Sequence, residues 1–121
     1  MPNESNANRD LVAFLNAVEN PKPDSYNPAF RSKYCSLAAI LKSVRKAGAK
    51  FNIVLEQTSD VVTIGESDYL VISSGFRHAD GTVWANRSVV KIKINGMNEQ
   101  KLMAATAYFR RQTACVATGI T

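Results

Sequence analysis

Histidine and cysteine are scarce in this sequence, whose 121 residues include one histidine, His78, and two cysteines, Cys35 and Cys115. No spacing of serine, histidine and aspartate indicates a nucleophilic relay, and His78 stands beside a turn signal. The cysteines lack CxxC spacing, which favours reduced thiols over zinc or a disulfide. Carboxylates are scattered over loops, which disfavours a metal-dependent nuclease. We therefore predict no catalytic residue, no metal site and no cofactor.

Motifs for nucleotide chemistry and for membrane insertion are also missing. There is no GxxxxGK[ST] loop and no GxGxxG, so nucleotide hydrolysis and dinucleotide binding have no support. No apolar run approaches membrane-spanning length, and the first eight residues are polar. These absences favour a binding protein over an enzyme, and we expect a cytoplasmic location without membrane contact.

Positive charge exceeds negative charge and is concentrated in parts of the chain. Fifteen lysines and arginines against ten acidic residues give a net charge of +5. Residues 31–50 contain six basic and no acidic residues, whereas residues 51–68 contain four acidic and no basic residues. The overall excess favours an anionic partner.

The hydrophobic pattern predicts one domain with the element order α-α-β-β-β-α. Residues 1–8 are expected to form a flexible tail, and residues 9–121 the core domain. The first helix should begin after Asn8, a candidate N-cap, and end before Pro21; the second should run from Ser36 to Gly48.

Alternating segments follow the second helix and predict three antiparallel strands. These are residues 51–58, with a short continuation at 61–64, then 69–78 and 82–94, the last two joined by a turn at 79–81. From Asn98 to Gly119 the composition predicts one long helix. Its inward residues should be Leu102, Ala105, Phe109 and Val116. We thus expect an α+β fold with a three-stranded antiparallel sheet packed on a long C-terminal helix.

Cations and aromatic residues occur together at two places. Phe30, Arg31, Lys33 and Tyr34 precede the second helix, whose N-terminal amides attract anions. Tyr108 lies three residues before Arg111, a spacing that sets a ring beside a guanidinium. Both arrangements suit a phosphate backbone with stackable bases. The alternative is structural: the first two aromatics pack on the core, and Tyr108 is a core residue beside a solvated arginine pair.

Further cations occupy the polar face of the second helix and one face of the third strand. For the strand, the alternative is an edge that lysines protect from aggregation. We expect the cations to converge after folding into one groove. The candidate DNA-binding residues are Arg31, Lys33, Tyr34, Lys42, Arg45, Lys46, Arg77, Arg87, Lys91, Lys93, Tyr108, Arg110 and Arg111.

Two motifs stand in a fixed order in the chain. The first is NPAFRSKYCSL at residues 27–37. The second is Gln100 followed by Tyr108, Arg110, Arg111, Cys115, Gly119 and Ile120. Together they resemble the ERF (essential recombination function) family of phage-type single-strand annealing proteins, over about residues 10–121, and residues 78–81 resemble the family's hairpin. Within the second motif, Met103, Phe109 and Gln112 depart from the glycine, small residue and tyrosine that are usual in the family.

The resemblance implies an ATP-independent protein of DNA recombination and repair that coats single strands and pairs complements. It implies single-stranded DNA and the complementary strand as partners, and a homo-oligomer in the form of a ring or helical filament. An exonuclease or a host single-strand binding protein is a further candidate partner, in the cytoplasm of a phage-infected bacterium. The alternatives are a passive single-stranded DNA-binding protein without annealing activity and a non-catalytic adaptor for an acidic partner.

Overall fold

The computed structural model describes the backbone of residues 3–121 and the side chains from residue 6 onward. The elements are α1 (Asn3–Ala17), β1 (Ser25–Asn27), β2 (Ser32–Tyr34), α2 (Leu37–Phe51), β3 (Ile53–Ile64), β4 (Ser67–His78), β5 (Val83–Lys93) and α3 (Glu99–Thr118). Strands β3, β4 and β5 form an antiparallel sheet in that order, and β1 and β2 form a separate small hairpin. The predicted α+β fold, its sheet and its long C-terminal helix are confirmed, whereas the small hairpin was not predicted.

Helix α1 begins at Asn3, so the prediction of an N-cap at Asn8 was wrong, and the helix includes most of the predicted tail. Ala7 is fully buried, because Leu11 and Phe14 follow it at i+4 and i+7 on one apolar stripe. The apolar stripe therefore extends one helical turn further toward the N-terminus than its large residues indicate. Residues 1 and 2 of the predicted tail lie outside the described residues.

Helix α2 begins as predicted, with the Ser36 hydroxyl accepting the Ala39 N–H at 3.1 Å. The predicted end at Gly48 was wrong, since the helix continues to Phe51 and ends at Asn52, whose φ of 59° is left-handed. Gly48 has a different purpose. A Cβ there would lie 2.2 Å from the Ile53 carbonyl oxygen, so glycine allows α2 to pack closely against the start of β3.

Strand β3 is longer than expected, because it is one continuous strand of twelve residues. The predicted faces of β5 are confirmed: Arg87, Lys91 and Lys93 are exposed, and the alternate residues are partly buried. A bulge interrupts the β4–β5 pairing, where residues 85–87 face Gly75 alone. A Cβ on Gly75 would lie 2.5 Å from the Trp84 carbonyl oxygen, so only glycine fits at this position.

Helix α3 has the predicted caps: the Asn98 side chain accepts the Lys101 N–H at 2.8 Å, and Gly119 is left-handed. Val116 was predicted to face inward, but 70% of its surface is exposed. Small residues on another stripe, Thr113, Ala114 and Ala117, are buried instead. Their size allows α3 to approach α2 and β4 closely.

The main core lies where the three helices meet the end of the sheet. It contains Phe14 of α1, which packs edge-to-face on Phe76 of β4 with ring centroids 5.3 Å apart. Ile40 and Val44 of α2 and Ala114 of α3 complete this cluster. None of the helices in the described residues is long and apolar enough to cross a membrane.

Candidate nucleic-acid interface

The β1–β2 hairpin projects Phe30 and two cations into solvent just before α2. Phe30, in the turn, is 78% exposed, and Arg31 beside it has a φ of 48°. Lys33, on β2, is also exposed. Since Phe30 does not pack on the core, the structural alternative for this residue was wrong.

Asp24 fixes the base of this hairpin to the N-terminus of α2. Its carboxylate accepts the Ser36 N–H at 2.7 Å and the Ser36 hydroxyl at 2.6 Å. The hydrogen bond from the Ser36 hydroxyl, followed by that from its N–H, lowers the pKa of Asp24. The N-terminus expected to attract an external anion is therefore bonded to a carboxylate of the chain itself.

Three residues from the two sequence motifs meet at one place, which we call the tyrosine–arginine cluster: Tyr34, Tyr108 and Arg111. The Arg111 guanidinium carbon lies 4.6 Å from the centroid of the Tyr34 ring and 5.3 Å from that of Tyr108. The tyrosines are 37% and 45% exposed, so the alternative of a core position for Tyr108 was wrong. Gln112 donates from Nε2 to the Tyr108 hydroxyl at 3.1 Å. The cluster thus presents two partly exposed rings around one cation.

Arg110 points in another direction, as its 100° offset from Arg111 predicts. Its Nε donates to Gln57 Oε1 at 3.2 Å, and Gln57 Nε2 donates to the Arg110 carbonyl at 2.7 Å. Gln57 Nε2 also donates to Ser74, whose hydroxyl donates to Thr113 at 2.9 Å. Ser74 and Thr113 are almost fully buried. These polar contacts fix the rotation of α3 on the sheet.

Ser74 and Thr113, which help to position the arginine pair of α3, were not predicted from the sequence. A signal was present in the chain, because Ser73 and Ser74 lie in the middle of an otherwise apolar strand. Buried hydroxyls require partners, and the helix above the sheet supplies one.

Both cysteines lie next to the tyrosine–arginine cluster in sequence and are free thiols. Cys35 follows Tyr34, and its Sγ donates to the Pro21 carbonyl at 3.3 Å. Cys115 lies one helical turn after Arg111. Burial raises the pKa of the Cys115 thiol against the opposing effect of Arg111. This thiol is therefore protonated at neutral pH.

The predicted cations do not form one groove within a single chain. Strand alternation places Arg77, Arg87, Lys91 and Lys93 on the sheet face opposite α3, so the expectation of one common groove was wrong for the isolated subunit. Arg77 pairs through Nε with Glu56 at 2.8 Å, and this contact raises the pKa of Arg77.

The cations of α2 form a third group. Arg45 lines a cleft of about 560 Å³ between α2 and the start of β3, and Arg77 lines the same cleft. Lys42 and Lys46 are exposed on the same helix. Because Arg45 and Arg77 line the same cleft, the cations of α2 lie next to one end of the row of cations on the exposed sheet face.

His78 is a structural residue at the end of β4. Its Nε2 lies 2.7 Å from Asp10 of α1, and its Nδ1 lies 3.0 Å from Asp80 in the following turn. Burial opposes protonation of His78, but the two carboxylates outweigh this effect and raise its pKa. The residue thus connects α1 to the β4–β5 turn.

No curated protein and no solved structure matches the chain. A family model for the ERF superfamily matches residues 8–121, which include the β1–β2 hairpin, the sheet and the arginine pair of α3. The chain therefore belongs to the ERF superfamily, and this membership supports a general role in recombination of the strand-annealing type.

Proposed function

We propose that this chain is an ATP-independent protein that binds single-stranded DNA and anneals complementary strands. The observation that carries the proposal is the tyrosine–arginine cluster, in which rings from β2 and α3 flank one guanidinium. Lys33 on β2 and Arg31 in the adjoining turn add exposed charge. A flat cation between partly exposed rings matches the alternation of phosphate and base along a single strand.

Annealing requires a particular mode of binding. A base held by its Watson–Crick edge cannot test a second strand, so the protein must hold phosphates and sugars and leave those edges free. Lysine and arginine are the phosphate contacts in this mechanism, and Tyr34 or Tyr108 stacks on a base. Such stacking contributes about 1–3 kcal/mol per base in comparable sites and depends little on sequence. We expect weak sequence preference and no chemical step.

Salt dependence follows from the same contacts. If Z phosphates are neutralised, log K falls with log salt at a slope of about 0.7Z for a single strand. One subunit offers a short binding surface. Subunits placed side by side in a ring or filament would make it continuous, and the combined affinity would exceed that of a single subunit.

The test combines binding with strand pairing. Fluorescence anisotropy with a labelled oligonucleotide measures affinity, and the rate of duplex formation from complementary oligonucleotides measures annealing. We expect Lys33→Ala and Arg110→Ala to weaken both, while Lys50→Ala, an exposed lysine outside the proposed interface, leaves both unchanged. All three variants should fold, because the substituted side chains are exposed or only partly buried.

Three outcomes separate this proposal from its alternatives. Binding that does not accelerate duplex formation would identify a passive single-strand binding protein. Absence of binding at low salt would favour an adaptor for an acidic protein partner. Unchanged affinity in both interface variants would refute the assignment of these residues.

A further inference from the structure

The two edges of the β3–β4–β5 sheet carry opposite charge. Strand β3 contains two acidic and no basic residues, Glu56 and Asp60, and the turn after it contains Glu66. Strand β5 contains three basic and no acidic residues. In the part of the chain that the structure describes, one side of β3 and one side of β5 have no strand partner. Such edges are templates for the addition of another strand.

We propose that the β5 edge of one copy pairs with the β3 edge of a second copy. The partner is therefore this same chain, and the inference deepens the proposed function by naming the edges through which its side-by-side subunits would meet. Its specificity comes from acidic side chains on β3 facing basic side chains on β5.

The charged side chains of the two edges lie on one face of the sheet and occupy the same positions along the strand direction. Glu56 of β3 faces Gly75, which itself faces the segment that contains Arg87. A second copy displaced sideways by three strand spacings of ~4.8 Å, about 14 Å, brings these levels together. Glu56 then stands beside Arg87. One row of paired residues crosses the whole sheet and ends in opposite charges: Asp60, Val71 and Lys91.

Contacts within the chain leave both central charges accessible. Asp60 is exposed, and its Oδ1 accepts the N–H of the next residue, Val61, at 2.8 Å. Lys91 is exposed, with Nζ 5.2 Å from the centroid of the Tyr69 ring. Among the described residues, the ion pair on this sheet face joins Arg77 and Glu56. Asp60 and Lys91 are therefore the pair that the contact between copies would join.

Charge also selects how the copies meet. A contact between two β5 edges would oppose basic residues, and a contact between two β3 edges would oppose acidic residues. Only the contact of β5 with β3 joins opposite charges, and it is head-to-tail. A head-to-tail contact continues from copy to copy and produces a ring or an open filament. Val61 and Ile64 on β3 and Val89 on β5, all about half exposed, lie along these edges.

The experiment measures molecular mass by sedimentation of the full chain without nucleic acid. We expect wild type to assemble at low salt, and assembly to weaken near 1 M salt, where the Debye length is about 3 Å. Asp60→Lys and Lys91→Glu should each sediment at the monomer mass. An equimolar mixture of the two should assemble again, because every contact between unlike copies joins opposite charges. Glu19→Lys and Lys50→Glu make the same charge changes at exposed sites away from the sheet and should assemble as wild type does.

A chain that carries both substitutions, D60K with K91E, provides the second measurement. It exchanges the charges of the two edges, so opposite charges still face each other and the chain should assemble. This measurement tests the contact even if one single variant fails to fold. The proposal is overturned if wild type is monomeric without nucleic acid, if both single variants assemble as wild type does, or if the doubly substituted chain stays monomeric. Oligonucleotide binding by Asp60→Lys, which removes no candidate DNA-binding residue, is measured in parallel and tests the proposed function separately.

Discussion

Replacing Arg111 with alanine tests whether the tyrosine–arginine cluster connects the β1–β2 hairpin to α3. The guanidinium contacts the Tyr34 ring on β2 and the Tyr108 ring on its own helix. A cation–π contact contributes about 0.5–1 kcal/mol at an exposed site, so the loss of both should cost about 1–2 kcal/mol. For a domain of this length, 1 kcal/mol corresponds to roughly 4 °C in Tm, which gives an expected fall of about 4–8 °C.

The same substitution should weaken binding to single-stranded DNA. Loss of one phosphate contact reduces the slope of log K against log salt by about 0.7. Arg111→Lys separates the two roles of the side chain, because lysine keeps the charge and loses the flat guanidinium. We expect this variant to keep the salt slope of wild type and to lose most of the thermal stability that alanine loses.

Thermal unfolding followed by circular dichroism, together with anisotropy titrations at several salt concentrations, gives both quantities. Arg9→Ala, at an exposed arginine of α1 outside the proposed interface, is the matched control and should change neither. An Arg111→Ala variant with the Tm and salt slope of wild type would refute both assigned roles. A lysine variant as stable as wild type would show that stacking of the guanidinium does not hold the hairpin.

Two further predictions concern the fold. Gly48→Ala should lower the free energy of unfolding measured in urea. Alanine stabilises the helix by about 1 kcal/mol, but overpacking costs about 1–3 kcal/mol, and here the added Cβ would lie 2.2 Å from the Ile53 carbonyl oxygen, which belongs to the rigid backbone. A stabilised variant would show that α2 and β3 can separate freely. His78 has a raised pKa, so its contribution to stability is complete below its unfolded pKa of about 6.5 and is lost as pH rises through the folded pKa. Asp10→Asn should make urea midpoints less dependent on pH in that range, and an unchanged pH profile would contradict the role of this pair.

Elements with large, regularly spaced apolar residues could be predicted from the sequence, and so could the N-caps of α2 and α3. The Ser36 and Asn98 caps follow from local hydrogen bonding, which requires no knowledge of the tertiary structure. Gly48 was misinterpreted because glycine serves equally as a helix stop and as a site of close approach. Only the position of β3 against α2 distinguishes these two uses. The first turns of α1 were missed because Ala7 is a weak apolar signal until its neighbours are known.

The candidate site was predictable only where its residues are close together in the sequence. Spacing along one helix placed Tyr108 beside Arg111, but the contact of Arg111 with Tyr34 joins residues far apart in sequence. The β1–β2 hairpin that presents Tyr34 was hidden in a loop rich in proline. Within one subunit the expectation of one groove was wrong, because the alternation of side chains along β5 directs Lys91 away from α3 whatever its charge.

The bulge in β5 also determines how much the strand tolerates insertion or deletion. Its three residues opposite Gly75 exceed the partner strand by two, an even number, so the inside–outside phase of the strand is the same before and after it. Removing a single residue there would invert that phase for one half of β5. Trp84 would then exchange places with its solvent-facing neighbours, or Val90 and Ile92 would exchange places with Lys91 and Lys93. Changes in length at this point should therefore be tolerated in steps of two residues.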